Sequence, residues 1–338
     1  MRAAVDVMGG DKAPDEILAG CWQAAPLLTP GDKVFLVGPK EVLDPALAAA
    51  SLSPEQREMY TPVYSTQVVA MDESPVEAVR GKPDSSIAVM NKLVAKGEAD
   101  IAISAGNTGA CVAAAQLRMR LLPGVSRPGI AVVLPTFHGS VVLCDAGANP
   151  EPKPQHLQQY GLMASAYARA VLNIESPRVG LMSIGEEDSK GNATTKATRQ
   201  LLRDEPQLNF VGNIEGKDIL RGVVDVCVCD GFVGNIVLKF TEGVTEGIFQ
   251  TIIHELAETD PALLGQMKPV MKKIHDKYDW QETGGAPLLG VGGICLICHG
   301  RSEARAIKNA IRVGKQFHDS KINDTIVEAI GRSIQVED

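Results

Sequence analysis

No apolar run in this chain approaches the roughly 18 residues needed to cross a bilayer, so any membrane contact is expected to be peripheral. Neither a signal peptide nor a transit sequence is visible, because Met1 runs straight into the apolar Ala3-Ala4-Val5. No basic block and no interleaving of aromatic with basic residues occurs. Lys and Arg total 33 against 41 Asp and Glu, a net charge of −8. That balance argues against nucleic acid as a partner. It leaves an anionic substrate open, since helix ends and single lysines act locally. No G-x-G-x-x-G follows the first strand-like segment, and no G-x-x-x-x-G-K-[ST] loop or G-x-S-x-G elbow is present. A dinucleotide enzyme and a nucleotide hydrolase therefore lose their usual support. Internal repeats and low-complexity linkers are missing too.

Cysteine is sparse and odd in number, with seven residues scattered through apolar segments, as expected of reduced thiols in a cytosol. Cys295-Leu296-Ile297-Cys298-His299 matches the C-x-x-C-H haem pattern, but it sits in an apolar strand with no export signal. A zinc site of Cys227, Cys229, Cys295 and Cys298 requires the two strands to be neighbours. Buried thiols acting as small hydrophobes are the simpler account, and no metal is expected.

What is present is a soluble-enzyme composition, 45% hydrophobic and 22% charged over 338 residues, enough for one large α/β unit or two lobes. The organising stretch is Asp100 to Ala110. Ile101-Ala102-Ile103 reads as a buried strand, Ser104 to Gly109 as a turn of small residues, and Ala110 to Leu122 as a helix. Asn107 or Thr108 can cap that helix, while Gly106 and Gly109 permit close approach to the backbone. Its first N–H groups lack internal partners and lie at the positive end of the helix dipole, which suits a phosphate. A capped turn with no ligand is the plain alternative.

Strands are expected at Arg2–Val7, Lys33–Gly38, Arg178–Ile184, Asn209–Ile214 and Val223–Cys229, with a hairpin over Ile130–Asp145. Helices alternate with them, opening at Pro14, near Glu41, at Ser85, at Gln155 and at Thr194. The segment from Val63 to Asp84 reads as irregular. Such alternation predicts a mainly parallel sheet covered on both faces. The polar loops at 6–11, 104–109, 145–149, 185–192 and 230–235 all follow strands and are expected to gather at one edge.

From Ile236 to Tyr278 the texture changes. Phe240, Val244, Ile248, Ile252 and Leu256 repeat every four residues, Thr259-Asp260-Pro261 breaks the run, and Leu263 to Ile274 continues it. A helical hairpin at about 236–280 follows, with a stripe to be covered by the body, a second subunit or lipid; subunit contact is the default. Among chemistry-bearing residues, Lys190 sits in Glu186–Asn192 as a point charge able to reach phosphate, or simply as part of a solvated loop. His299, beside Gly300, is a candidate general acid/base or a structural histidine. Asp6 and Asp11, flanking Gly9 and Gly10, are candidate ligands or turn caps.

DVMGGDKAP at 6–14, SAGNTGA at 104–110, GEEDSKGN at 185–192, GNIEG at 212–216, DGFVGN at 230–235 and GAPLLG at 285–290, ending with HG at 299–300, occur in an order that resembles the fatty acyl-ACP:phosphate acyltransferase (PlsX) family over nearly the whole chain. Arg301-Ser302 stands after His299-Gly300 where the family more often has Ser-Ser. The resemblance implies a three-layer α/β unit, similar to the isocitrate and isopropylmalate dehydrogenases and the phosphotransacetylases. It implies transfer of a fatty acyl group from acyl carrier protein (ACP) to inorganic phosphate, supplying a glycerol-3-phosphate acyltransferase in phospholipid synthesis. A cytoplasmic homodimer, held peripherally at an anionic membrane surface and needing no cofactor, goes with it. Lys190, His299 and Asn235 are then the candidate catalytic residues. Asp6, Gly9, Gly10, Asp11, Ser104, Gly106, Asn107, Thr108, Gly109 and Asn192 are the candidate substrate-binding residues. The competing expectations are a phosphotransacetylase acting on short-chain acyl-CoA and a non-catalytic membrane-associated scaffold.

Overall fold

Short apolar runs with both faces buried become strands, and amphipathic segments become the helices that cover them. The computed structural model describes residues 1–282 and 284–337. Its strands are β1 (Arg2–Asp6), β2 (Lys33–Gly38), β3 (Tyr60–Tyr64), β4 (Ile101–Ser104), β5 (Gly129–Thr136), β6 (Gly139–Cys144), β7 (Arg178–Met182), β8 (Asn209–Ile214), β9 (Val226–Val228), β10 (Ala286–Leu289) and β11 (Ile294–Ile297). They form one sheet in the order β3-β2-β1-β4-β11-β10-β5-β6-β9-β7-β8. Most pairings are parallel, and alternate residues of each strand enter two separate apolar cores, one on each face. The expected three-layer, mainly parallel α/β architecture is what folds.

One expectation is overturned. Besides the expected β5–β6 hairpin, the pairings β11–β10 and β10–β5 are antiparallel. Three reversals between β4 and β7 make the two ends of the sheet run in opposite directions. The loops at 6–11 and 104–109 therefore leave one edge, and those after β6, β7 and β9 leave the other. Nor is 230–235 a loop: Asp230 accepts the Val233 N–H at 2.8 Å and opens the helix Gly231–Thr259. The segment read as irregular carries the end of β3 and the helix Pro75–Gly81. β9 and β11 are separated by three strands, so the four-cysteine zinc site has no basis, and all seven cysteines are free and buried.

The hairpin forms where the sequence breaks. Asp260 caps the second helix, Pro261–Tyr278, through the Leu263 N–H at 2.9 Å, and Pro261 occupies its first turn. The body does not cover the apolar stripe: Phe240 is 70% exposed and Ile248 55%. Among the described residues no helix is long and apolar enough to cross a membrane.

Candidate active site at a split in the sheet

Among the described residues the two halves of the sheet are joined at β5 and β10 by two residue pairs, Leu288 with Ile130 and Leu289 with Gly129. Beyond them the strands diverge, leaving a cavity of about 290 Å³. Its walls draw on both cores. Val132, Leu134 and Leu238 belong to one, and Ala131, Val133 and Tyr167 to the other. The helix Gly231–Thr259 runs alongside, presenting Asn235, Leu238, Lys239 and Glu242, whose spacing puts them on one helical face.

The turn after β4 reaches this cavity through Thr108. Ser104 Oγ donates to Asp6 Oδ2 at 2.7 Å and accepts the Gly106 N–H at 3.0 Å, while the Met8 N–H reaches Asp6 Oδ1 at 3.1 Å. Burial pushes the Asp6 carboxyl above the usual carboxylate range, opposed by the hydroxyls of Ser86 and Ser104. A Cβ at Gly9 would lie 2.7 Å from the Gly106 nitrogen, so this glycine lets the two turns touch. Gly109 likewise accommodates the ring of Pro75. Asp11 donates its N–H to the Gly300 carbonyl at 2.8 Å, bracing the His299 loop.

Asn107 is the helix N-cap. Its Oδ1 accepts the Ala110 N–H at 3.0 Å, and its Nδ2 is shared among the carbonyls of Ala70, Met71 and Glu73 at 3.4, 3.1 and 3.1 Å. The side chain expected to bind substrate thus ties the 70–73 segment to the helix start. The N–H groups of Thr108 and Gly109 have no protein partner among the described residues. Thr108 is exposed.

His299 ends the segment after β11. Its Nδ1 accepts the Arg301 N–H at 3.1 Å, and its Nε2 lies 2.6 Å from Lys239 Nζ and 3.9 Å from Glu242 Oε2. Lys239 also pairs with Glu242 at 3.0 Å. Both ring nitrogens face N–H groups, and a neutral imidazole has one acceptor nitrogen. A charged ring is less favoured still: burial, then the Lys239 ammonium, lowers the His299 pKa below its ordinary value, with Glu242 opposing.

The other side of the cavity is organised by a residue the sequence did not single out. Asp145, fully buried, accepts the N–H groups of Ile130, Gly147 and Ala148 on Oδ1 at 3.0, 3.1 and 3.0 Å, and that of Asn149 on Oδ2 at 2.7 Å. Burial raises its pKa, and these four bonds hold it down. They shape the 145–149 loop against which Asn235 lies.

Of the residues singled out from sequence, Thr108, Asn235 and His299 line the cavity. Asp6, Gly9, Gly10, Asp11, Ser104, Gly106, Asn107 and Gly109 form the scaffold behind Thr108 and His299. Lys190 and Asn192 do not line it. Their loop follows β7, where Asn192 Oδ1 accepts the Thr195 N–H at 2.8 Å as a helix cap. Lys239, Glu242 and Ser302 were missed. For the first two, the signal was available in their four- and seven-residue spacing from Asn235.

The family model described as "Fatty acid synthesis protein" matches residues 1–325. A phosphate acyltransferase from Desulfitobacterium hafniense (strain DSM 10664 / DCB-2) is 47% identical over 335 residues, 98% of each chain. One from Heliobacterium modesticaldum (strain ATCC 51547 / Ice1) is 46% identical over 318 residues, covering 94% of this chain and 93% of its own. A phosphotransacetylase from Streptococcus pyogenes shares the fold with a TM-score of 0.60 at 17% identity, covering 98% of this chain and 94% of that one. A 4-hydroxythreonine-4-phosphate dehydrogenase from Klebsiella pneumoniae does so with a TM-score of 0.51 at 14%, covering 95% and 99%. The match along nearly its whole length, with relatives this similar, shows that the chain belongs to the fatty acid synthesis protein family.

Proposed function

We propose that this chain is an acyltransferase that moves a fatty acyl group from the thioester of acyl-ACP to inorganic phosphate, providing acyl phosphate for phospholipid synthesis. The observation that carries the proposal is the convergence, on one cavity, of a helix start with free N–H groups at Thr108 and Gly109 and of the Lys239–His299 pair. The relatives named phosphate acyltransferase support it.

Phosphate sits at the helix start, held by the Thr108 and Gly109 N–H groups and the dipole. One of its oxygens attacks the thioester carbonyl, a C–O bond forms, the C–S bond breaks, and the thiolate leaves on its carrier. Lys239 offsets the charge that develops on the carbonyl oxygen, and the neutral His299 ring takes up a proton at the ring nitrogen that carries none. Asn235 helps orient the acyl donor. Positioning and fixed donors suffice for this displacement, so no step calls for a covalent enzyme intermediate or a cofactor.

The product is an activated acyl group for a glycerol-3-phosphate acyltransferase. The exposed stripe of the hairpin supports a homodimer and contact with the anionic inner face of the membrane. Thr108→Asp tests the phosphate site. Asp at a first helical position suits the dipole, so the fold should hold, while its charge repels phosphate. The apparent KM for phosphate should rise at least about tenfold with the acyl-ACP KM little changed. An unaltered phosphate KM in the folded variant removes this site.

A further inference from the structure

Which backbone groups of β5 face the split can be worked out from its neighbours. Ile130 sends its N–H to Asp145 Oδ1 at 3.0 Å and receives the Ala146 N–H on its carbonyl at 2.9 Å, so both its groups point toward the β6 side. Backbone groups alternate along a strand, and Val132 and Leu134 follow Ile130. Ala131 and Val133 therefore direct theirs toward β10. There the ladder would continue through Pro287, which has no N–H to give, and among the described residues no pairing joins β10 to β5 beyond Ile130. Pro135, the next residue facing that way, has no N–H either, as befits an edge strand. Val133 is left with an N–H and a carbonyl turned into an otherwise mostly apolar cavity that it lines. A half-buried strand edge of this kind asks for an extended partner that brings amides of its own.

We infer that the edge of β5 at Val133 is the seat of the pantetheine arm of the acyl donor, whose amides pair with the Val133 N–H and carbonyl as an added strand would. The inference rests on the acyltransferase function proposed above, and specifies how its donor is recognised. An extended arm laid along β5 passes Leu134 and Val132, which share the cavity with Lys239 and His299. Its thioester end thus reaches the proposed reacting groups while the apolar walls exclude water. The same arm is carried by ACP and by coenzyme A, so the site recognises chemistry common to both.

The test compares S-palmitoyl pantetheine with a palmitoyl alkyl thioester that lacks amides, in wild type, Val133→Pro and Val133→Ala. Proline deletes the N–H that faces the cavity and leaves the β5–β6 bonds intact; alanine keeps it. Wild type should prefer the amide-bearing donor in kcat/KM, and Val133→Pro should lose about five- to tenfold of that preference, while Val133→Ala keeps it. The loss should be the same with palmitoyl-ACP and palmitoyl-CoA. A preference unchanged in Val133→Pro overturns the proposal, as does a loss confined to palmitoyl-ACP, which would make Val133 part of carrier-protein docking. Should the proline variant fail to fold, wild type decides: equal kcat/KM for the two small donors overturns the proposal. Acyl phosphate formed from none of these donors would overturn the acyltransferase function itself, and with it this site.

Discussion

Lys239 Nζ lies 2.6 Å from His299 Nε2, joining a helix that starts after β9 to a loop that ends β11, across the split between the two halves of the sheet. The contact has an electrostatic consequence. Burial and the ammonium both work against protonation of His299, so its pKa is lowered and the ring is neutral at neutral pH. If this ring exchanges the proton, kcat/KM should fall on the acid side, through a pKa below the ordinary histidine value. Lys239→Met removes one of the causes that lower it and should move that limb to higher pH, besides reducing turnover. In His299→Gln the limb should vanish. A pH–rate profile whose acid limb is the same in all three proteins would assign it to another group.

The Asp6–Ser104 hydrogen bond predicts a stability effect with a definite sign. Asp6 has a folded pKa raised above its unfolded value, so its contribution is full below the unfolded pKa and is lost as pH rises through the folded one. Ser104→Ala takes away a donor that lowers this pKa and leaves a buried carboxylate short of a partner, costing about 1–3 kcal/mol. The loss should be larger at a pH above the folded pKa than at an acid pH near the ordinary carboxylate value, because only the charged form misses the donor. Thermal unfolding of wild type and variant at both pH values measures it. An equal loss at both would mean that the hydroxyl matters to Gly106 rather than to Asp6.

Most of the strands, the turn at 104–109, a cap at Asn107 or Thr108 and the break at Thr259-Asp260-Pro261 were legible because each depends on residues within a few positions of one another. Periodicity and capping are local signals. The sense of β5 and β10 was not, because it is fixed by partners more than 100 residues away in sequence. The reversals at β10 and β5, with the β5–β6 hairpin, put the Lys190 loop at the opposite edge from the 104–109 turn. Gly109 was read as room for a ligand and Gly9 as a substrate-binding residue; the first accommodates a proline ring and the second lets a neighbouring turn approach. Lys239 and Glu242 were overlooked because they share a helix with an apolar stripe, and the stripe dominated the pattern. Asp145 gave no signal at all, since accepting four backbone N–H groups depends on the folded loop.

The hairpin stripe predicts self-association. Phe240, Val244, Ile248 and Ile252 remain exposed along one line of a 29-residue helix, far more contiguous apolar surface than a lone solvated helix carries. A second copy laid against it would bury the same residues from both subunits, as two-fold symmetry requires. Ile248→Glu places a charge in the middle of that surface and should shift the mass measured by light scattering from dimer to monomer. An unchanged dimer would send the contact elsewhere on the molecule.

The tip of the hairpin makes a separate demand. Asp260 and Pro261 turn the chain, Leu263 stands exposed just beyond, and Lys268, Lys272, Lys273 and Lys277 follow on the second arm. Apolar side chains beside lysines suit shallow insertion into an anionic leaflet, with each lysine near the surface adding ~1 kcal/mol. Opposing it, Glu255, Glu258 and Asp260 are repelled by the same surface, and Lys272 is partly neutralised by Asp276 at 3.0 Å. The apolar contribution therefore decides the outcome. Replacing Leu263 and Leu264 with Ser should cut co-sedimentation with anionic vesicles several-fold while leaving dimer mass and acyl transfer in solution unchanged, because neither residue lines the cavity. Added salt should weaken wild-type binding, since the lysine share is screened while the leucine share is not. Loss of the dimer with vesicle binding intact would instead place the tip inside the subunit interface.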